Sequence, residues 1–308
     1  MTIRRALSEG IQQLASAQVP SSSLAAELLL LHVLGRDRAF LYAHPQAELK
    51  LEDERAYLYL LAQRAAGQPT QYLTHRQEFW GLPLRVEPGV FIPRPETEHV
   101  VEVALAIVRE RLAKSEARIV DIGTGTGCIA LALASELPQA EIVATDISDD
   151  ALTLARANAE ALELAGRVRF VKSDLLEAFL SHHGSPAADL DTRSFDLVVS
   201  NPPYVSPDEA DHLPREVREH EPAAALFSPE DGLEVTRRLI SQAAVVLSGP
   251  GKGGPVRRSL GESGWLVLEL GYNMSGRVRA LLGEGWTHVE ITNDLRGIPR
   301  VLAAQRIG

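Results

Sequence analysis

Apolar residues up to about position 70 recur at three-to-four spacing, the period of helices that turn one face inward. Residues 3–17 form one such segment. Val19-Pro20-Ser21-Ser22-Ser23 ends it and offers serine hydroxyls to cap a second, which runs from Leu24 until Gly35. A third starts near Leu51-Glu52-Asp53-Glu54, where acidic side chains suit the positive end of the helix dipole, and stops at Gly67-Gln68-Pro69. The pattern predicts a small helical bundle with nothing catalytic in it. The period then changes. Residues 78–86 alternate, Glu87-Pro88-Gly89 makes a turn and Val90-Phe91-Ile92 returns, which predicts a connecting hairpin. After a helix over 97–114, short apolar runs near 118–121, 141–146, 167–171 and 195–200 alternate with helical segments. That rhythm specifies α/β architecture, a mostly parallel sheet covered by helices.

Two stretches break the rhythm, 181–193 and 248–263, whose Gly, Pro, Ser and Arg content marks them as surface insertions. His182 and His183 in the first have no thiolate near them, so a solvated loop is expected there and no metal site anywhere.

Composition narrows the classes. At 45% hydrophobic, 308 residues can bury one large core and a smaller one. With 31 Lys and Arg against 41 Asp and Glu, a net charge of -10, no overall positive field draws in a polyanion, and stable nucleic-acid binding is not expected. Arg36, Arg38, Arg55 and Arg64 read as a solvated surface. The one cysteine, Cys128, excludes an internal disulfide framework and a cysteine zinc cage, and fits a reducing compartment. The start of the chain lacks a signal-peptide stretch, and the most apolar run, 24–34, contains Glu27 and His32 and is too short for a bilayer. A cytoplasmic protein without a membrane segment is expected.

The run Arg118-Ile119-Val120-Asp121-Ile122-Gly123-Thr124-Gly125-Thr126-Gly127-Cys128 is an apolar strand and a glycine turn, and a helix of small residues follows. Glycines let a ligand press against bare backbone. A dinucleotide fingerprint wants glycine at relative positions one, three and six, and the sixth position here is Cys128. The tighter spacing, at 123, 125 and 127, resembles the cofactor loop of class I S-adenosylmethionine methyltransferases, which implies that Gly123, Thr124, Gly125, Thr126 and Gly127 contact that cofactor. The second strand ends in Asp146, followed by Ile147, where a carboxylate can accept from both ribose hydroxyls; as a bare helix cap it would have a simpler role. Asp174 and Leu175, after the third strand, fall where this fold contacts adenine. Cys128 reads as structural, because methyl transfer from a sulfonium needs no covalent enzyme intermediate.

The fourth strand runs into Asn201-Pro202-Pro203-Tyr204, at the end of a central strand where open α/β sheets place their chemistry. Two prolines remove two backbone donors and leave carbonyls free, while Tyr204 offers a flat face. An amide or aromatic amino nitrogen is a poor nucleophile; acceptors at Asn201 Oδ1 and the Pro202 carbonyl stabilise the positive charge that grows on it, and Tyr204 fixes its approach. No Gly-x-Ser-x-Gly elbow and no phosphate-loop lysine are present.

Further segments bring the whole chain close to one family. Gly67-Gln68-Pro69-Thr70-Gln71-Tyr72, Glu78-Phe79-Trp80-Gly81, Phe91-Ile92-Pro93-Arg94-Pro95-Glu96-Thr97-Glu98, Glu221-Pro222, Asp231-Gly232-Leu233 and 293–301 are similar to segments of the release-factor glutamine methyltransferases. These enzymes methylate the glutamine of a Gly-Gly-Gln loop. The resemblance implies a seven-stranded Rossmann-like sheet with helices on both faces. It implies catalysis by Asn201, Pro202, Pro203 and Tyr204, with Phe91, Arg94, Pro95, Glu96 and Thr97 beside the substrate and Asn201 also near the cofactor. The expected organisation is a substrate-docking bundle over 1–75, a hairpin linker over 76–96 and a catalytic domain over 97–308. The chain departs from the family pattern at His75, where glycine is frequent, and at Leu175, where an aromatic is frequent. Methylation of a ribosomal-protein glutamine, amino methylation of adenine and a cofactor-binding module without activity remain as competitors. The acidic charge argues against adenine.

Overall fold

The computed structural model describes residues 1–112, 116–180, 195–247 and 264–307. Both expected insertions, with His182 and His183, and the end of the helix expected over 97–114 lie outside the described residues. Those described form two compact units.

The first unit comprises Met1–Arg76, Val86–Pro88 and Leu213–Glu221. Thr2 accepts a hydrogen bond from the Arg5 amide and starts α1 (Ile3–Ser16), whose buried Ile3, Ala6, Gly10 and Leu14 keep the helical spacing. Gly35 ends α2 (Ser22–Leu34) in the left-handed conformation, as expected. The serine cap is not formed. Ser21 has φ +49 where a capping residue needs extended backbone, and its hydroxyl makes no cap hydrogen bond. Next come α3 (Arg38–Ala43), capped by Asp37, then α4 (Leu51–Ala65) and α5 (Thr70–Thr74). Leu14, Leu29, Leu30, Tyr57 and Leu61 fill the core, and a Cβ at Gly10 would collide with the Tyr57 hydroxyl. His75 ends α5 at φ +55, the conformation glycine adopts freely, and it pairs with Glu87 at 3.0 Å. Arg64 is buried. It donates to the Gln68 carbonyl and pairs with Glu216.

In the second unit, β1 (Arg76–Phe79) and β2 (Leu82–Arg85) form the hairpin, but its turn is Trp80-Gly81, both at positive φ, and Val90-Phe91-Ile92 pairs with no strand. A turn does form at Pro88-Gly89, with Gly89 at φ +91, but it is not the turn that closes the hairpin. A two-residue turn with both φ positive matches strand twist, whereas Pro88, Pro93 and Pro95 deny the later run the donors a ladder needs. A 3₁₀ turn, Pro95–Thr97, leads into α6 (Glu98–Ala106) and π-helical turns at Ile107–Leu112.

The large sheet contains β3 (Arg118–Ile122), β4 (Glu141–Asp146), β5 (Val168–Lys172), β6 (Leu197–Ser200), β7 (Trp265–Glu269), β8 (Trp286–Asn293) and β9 (Pro299–Arg306). Its order is β5-β4-β3-β6-β7-β9-β8; neighbours pair in parallel up to β7, and β9 runs antiparallel to β7 and β8. Successive side chains of β3, β6 and β7 alternate between two apolar layers, as the pleat requires. Ile119, Leu197 and Val267 join one face with α6, α7 (Cys128–Glu136) and α8 (Asp149–Ala161). Val120, Val198 and Leu266 join the other with α9 (Glu177–Leu180), α12 (Glu234–Val246) and α13 (Ser275–Ala280). The short α10 (Arg215–His220) and α11 (Ala223–Leu226) precede α12 in the chain.

Candidate active site

The strand order reverses between β3 and β6, so the loops leaving their carboxyl ends diverge and frame a crevice. Both motifs that the sequence singles out sit there. After β3, Gly123, Gly125 and Gly127 have φ +69, +56 and +86, a region L side chains rarely adopt. Gly123 is exposed, and a Cβ built on it meets nothing within 4 Å, so its bare backbone faces open space. Thr124 N donates to Thr145 O at 2.9 Å, which ties the loop to β4. Asn158 of α8 braces it from below: its Nδ2 donates to Thr126 O and Arg85 O, and its Oδ1 accepts from Arg85 N.

Asp121, the penultimate residue of β3, lies fully buried under the loop. Its Oδ2 accepts from Thr124 Oγ1 at 2.6 Å and from Ala130 N at 3.2 Å, while Oδ1 has no partner. Burial pushes its carboxyl up to about 7, against the pull of those two hydrogen bonds. At the end of β4, Asp146 accepts from Gly125 N and Ser148 N, each at 2.9 Å, and burial raises its pKa. Asp146 does not itself cap α8; Ser148 does, accepting from Ala151 N. Ile147 beside it is an exposed apolar side chain. Beyond β5, Asp174 pairs with Arg238 at 2.7 Å, and Leu175 sits half-buried at φ +50, its carbonyl accepting from Thr145 Oγ1. Cys128 is buried, and burial pushes its thiol up to about 12, which suits the structural role expected of it.

At the end of β6, Asn201 Nδ2 donates to Thr97 Oγ1 at 3.1 Å. Among the described residues nothing donates to Asn201 Oδ1 or to the Pro202 carbonyl, so both acceptors of these consecutive residues are free. Glycines shape the loop that follows. A Cβ at Gly232, φ +81, would lie 2.6 Å from the Tyr204 carbonyl, and one at Gly271 would lie 2.7 Å from the Tyr204 ring. Burial raises the Tyr204 phenol well above its ordinary range. Of the segment before α6, Thr97 is buried, Pro95 is exposed, and the Arg94 guanidinium lies 4.8 Å from the Phe91 ring centroid. Glu96 stands 4.0 Å from Arg300, which Asp294 holds at 2.9 Å.

The sequence reading missed two buried acids in this neighbourhood, Asp121 and Glu269. Glu269 ends β7, its Oε2 is buried without a hydrogen-bond partner, and burial pushes its carboxyl up to about 7. An apolar strand closed by a carboxylate is the same signal that marked Asp146. Among the described residues, no group of three or more His, Cys, Asp or Glu is placed to hold a metal ion, and no helix is long and apolar enough to cross a membrane.

A family model described as PrmC N-terminal domain matches residues 5–74, and one described as Methyltransferase small domain matches residues 82–217. The release factor glutamine methyltransferase of Koribacter versatilis is 40% identical over 308 residues, 99% of each chain. That of Escherichia coli is 38% identical over 297 residues, 96% of this chain and 95% of its own. Among solved structures, the hMettl16 catalytic domain in complex with MAT2A 3'UTR hairpin 6 matches with a TM-score of 0.53 at 20% identity, over 79% of this chain and 81% of that one, a likeness of fold alone. With a glycine loop and Asn-Pro-Pro-Tyr facing one crevice, and with identity to these enzymes along nearly all its length, the chain belongs to the release factor glutamine methyltransferase family.

Proposed function

We propose that the protein transfers a methyl group from S-adenosylmethionine to the side-chain amide nitrogen of the glutamine in the Gly-Gly-Gln loop of peptide chain release factors. The observation that carries this reading is the pair of free acceptors, Asn201 Oδ1 and the Pro202 carbonyl, at the end of β6 beside the glycine loop. They accept the two N–H groups of a primary amide, and Tyr204 packs against its plane. As the nitrogen gains positive charge, both bonds strengthen, so they favour the transition state over the ground state. The surplus proton leaves to water. Phe91, Arg94, Pro95, Glu96 and Thr97 line the substrate side.

The residues present fit the cofactor. Gly123 leaves backbone open, Asp121 Oδ1 is a buried acceptor without a donor, Asp146 takes ribose hydroxyls, and Ile147, Asp174 and Leu175 surround the adenine. Thr124, Gly125, Thr126, Gly127 and Asn201 complete that wall. When bound, S-adenosylmethionine supplies an electrophilic methyl on a sulfonium.

Residues 1–75 dock the release factor, 76–96 link and 97–308 catalyse. Exposed Tyr42, Leu51 and Tyr59 of the bundle offer amphipathic contact area. The protein acts in the cytoplasm, where its substrate works. Mass spectrometry of purified release factor after incubation with enzyme and S-adenosylmethionine tests the reading: a gain of one methyl group is expected on the Gly-Gly-Gln glutamine, and Asn201→Ala should abolish it. An unmodified glutamine would refute the assignment.

A further inference from the structure

The helix α12 holds the segment that follows β5 at two places. Arg238 and Gln242, one helical turn apart and so on one face of α12, both reach it. Arg238 Nη2 donates to Asp174 Oδ2 at 2.7 Å, and Gln242 Oε1 accepts from Leu176 N at 2.8 Å. The other end of the 175–176 peptide is held by Thr145 Oγ1, which donates to the Leu175 carbonyl at 3.3 Å. Gripped at its N–H and its carbonyl, that peptide keeps Leu175 at φ +50, a region costly for residues other than glycine. Two groups are left over. Among the described residues nothing donates to Asp174 Oδ1, and no acceptor takes the Leu175 N–H. Consecutive residues thus offer one free acceptor and one free donor, and the segment starts against Asp146, whose carbonyl accepts from Ser173 N at 3.0 Å.

We propose that Arg238 and Gln242 are positioning residues for the cofactor, fixing an Asp174 acceptor and a Leu175 donor that select an adenine ring over its 6-oxo counterpart. The inference rests on the reading of Asp174 and Leu175 as contacts of the adenine of S-adenosylmethionine. Adenine carries an amino donor at C6 and an acceptor at N1 on one edge. A carboxylate oxygen followed by a backbone N–H complements that edge. In hypoxanthine both roles are reversed, so oxygen would face oxygen and N–H would face N–H, and each unmade bond costs free energy. Such discrimination requires the two groups to be held. The Asp174 side chain is 36% exposed, free to turn unless something pins it, and Arg238 pins Oδ2 without occupying Oδ1. An apolar residue at position 242 would leave Leu176 N without its acceptor and the 175–176 peptide held at one end only. Arg238 also pairs with Glu177 at 3.2 Å, which joins α9 to α12, but that bond fixes neither Asp174 Oδ1 nor the Leu175 N–H.

Calorimetry on the unliganded protein compares S-adenosylhomocysteine with its deaminated form, S-inosylhomocysteine, neither of which carries a reactive methyl. Wild type should prefer the adenine form by about 1000-fold, the scale of two mismatched hydrogen bonds. Arg238→Met and Gln242→Leu should each weaken S-adenosylhomocysteine by about tenfold and the deaminated form by less than about twofold, so the preference shrinks. Gln242→Glu, which keeps an acceptor for Leu176 N, and Glu177→Gln, which spares the bond to Asp174, should each stay within about threefold of the wild-type preference. The thermal midpoint of each unliganded variant reports folding. Equal weakening of both ligands, or an unchanged preference in Arg238→Met and Gln242→Leu, makes the two side chains supports of the scaffold alone; it overturns the proposal and leaves the cofactor reading standing. A wild type without preference, or without affinity for S-adenosylhomocysteine, overturns the reading of the adenine contacts itself. Should Arg238→Met fail to fold, Gln242→Leu and Gln242→Glu decide alone.

Discussion

Replacing Asp121 by Asn should change how the stability of the protein responds to pH. Asp121 is fully buried, and its two hydrogen bonds fall on one oxygen while the other has none. Burial outweighs those bonds and raises the carboxyl to about 7, against about 4 in an unfolded chain. Between those values the folded state holds a proton that the unfolded state has released. Stability from this group is therefore full below about pH 4, falls as pH rises, and is gone above about pH 7. Over about 3 pH units at roughly 1.4 kcal/mol each, the loss amounts to about 4 kcal/mol. Asn titrates nowhere in this range. Urea unfolding of wild type and Asp121→Asn in parallel, from pH 4 to 8, should show the variant gaining about 4 kcal/mol relative to wild type across the series, since groups common to both cancel. On the proposed function, saturating S-adenosylmethionine should flatten the difference, because a cation bound near this buried carboxyl would lower its folded pKa. A gap that stays constant within about 1 kcal/mol from pH 4 to 8 would show that Asp121 remains ionised in the folded protein, and the desolvation argument would fail.

Two other substitutions probe the scaffold of the site. Gly271→Ala puts a methyl group 2.7 Å from the Tyr204 ring and the Met274 sulfur, so kcat should fall by about tenfold or more while cofactor Kd, read by calorimetry, is unchanged; an unaffected kcat would mean that the ring has room to yield. Asn158→Leu removes three hydrogen bonds, to Arg85 N, Arg85 O and Thr126 O, and should cost about 3 kcal/mol in urea unfolding, with a loss below about 1 kcal/mol showing that the hairpin and glycine loop hold without it.

What was legible in the sequence had a local cause. The strand expected over 141–146 is found as Glu141–Asp146, because a short apolar run closed by a carboxylate fixes both its course and its end. Gly123, Gly125 and Gly127 were legible because each occupies a backbone region that other residues avoid. Where the cause was not local, the reading went astray. Trp80 has positive φ because Gly81 follows it and Glu98 Oε1 accepts its amide at 2.8 Å, and that acceptor lies 18 residues away. Glu216 joins the first unit through Arg64, 152 residues distant, and no pattern around either residue announces the pairing. Glu269 escaped for a different reason: its strand lies beyond the Gly-, Pro- and Arg-rich interruption at 248–263, which breaks the strand–helix rhythm of the sequence before β7.

The carboxyl edge of the sheet has an electrostatic consequence. Asp121, Asp146 and Glu269 lie at or next to the ends of β3, β4 and β7, and burial raises all three. Each is therefore a site where added positive charge is worth more than it would be in water. In the proposed reaction the cofactor enters with a sulfonium and leaves with a neutral thioether of almost the same shape. Hydrophobic contacts cannot tell the two apart, since they differ by one methyl group. Buried carboxyl groups can, since they differ by a full charge. On the proposed function, Asn201 Oδ1 and the Pro202 carbonyl are the acceptors for the nitrogen to which that charge passes. The acids thus favour loading of the charged cofactor and release of the spent one, and the amide and carbonyl oxygens at the end of β6 are left to govern the transfer.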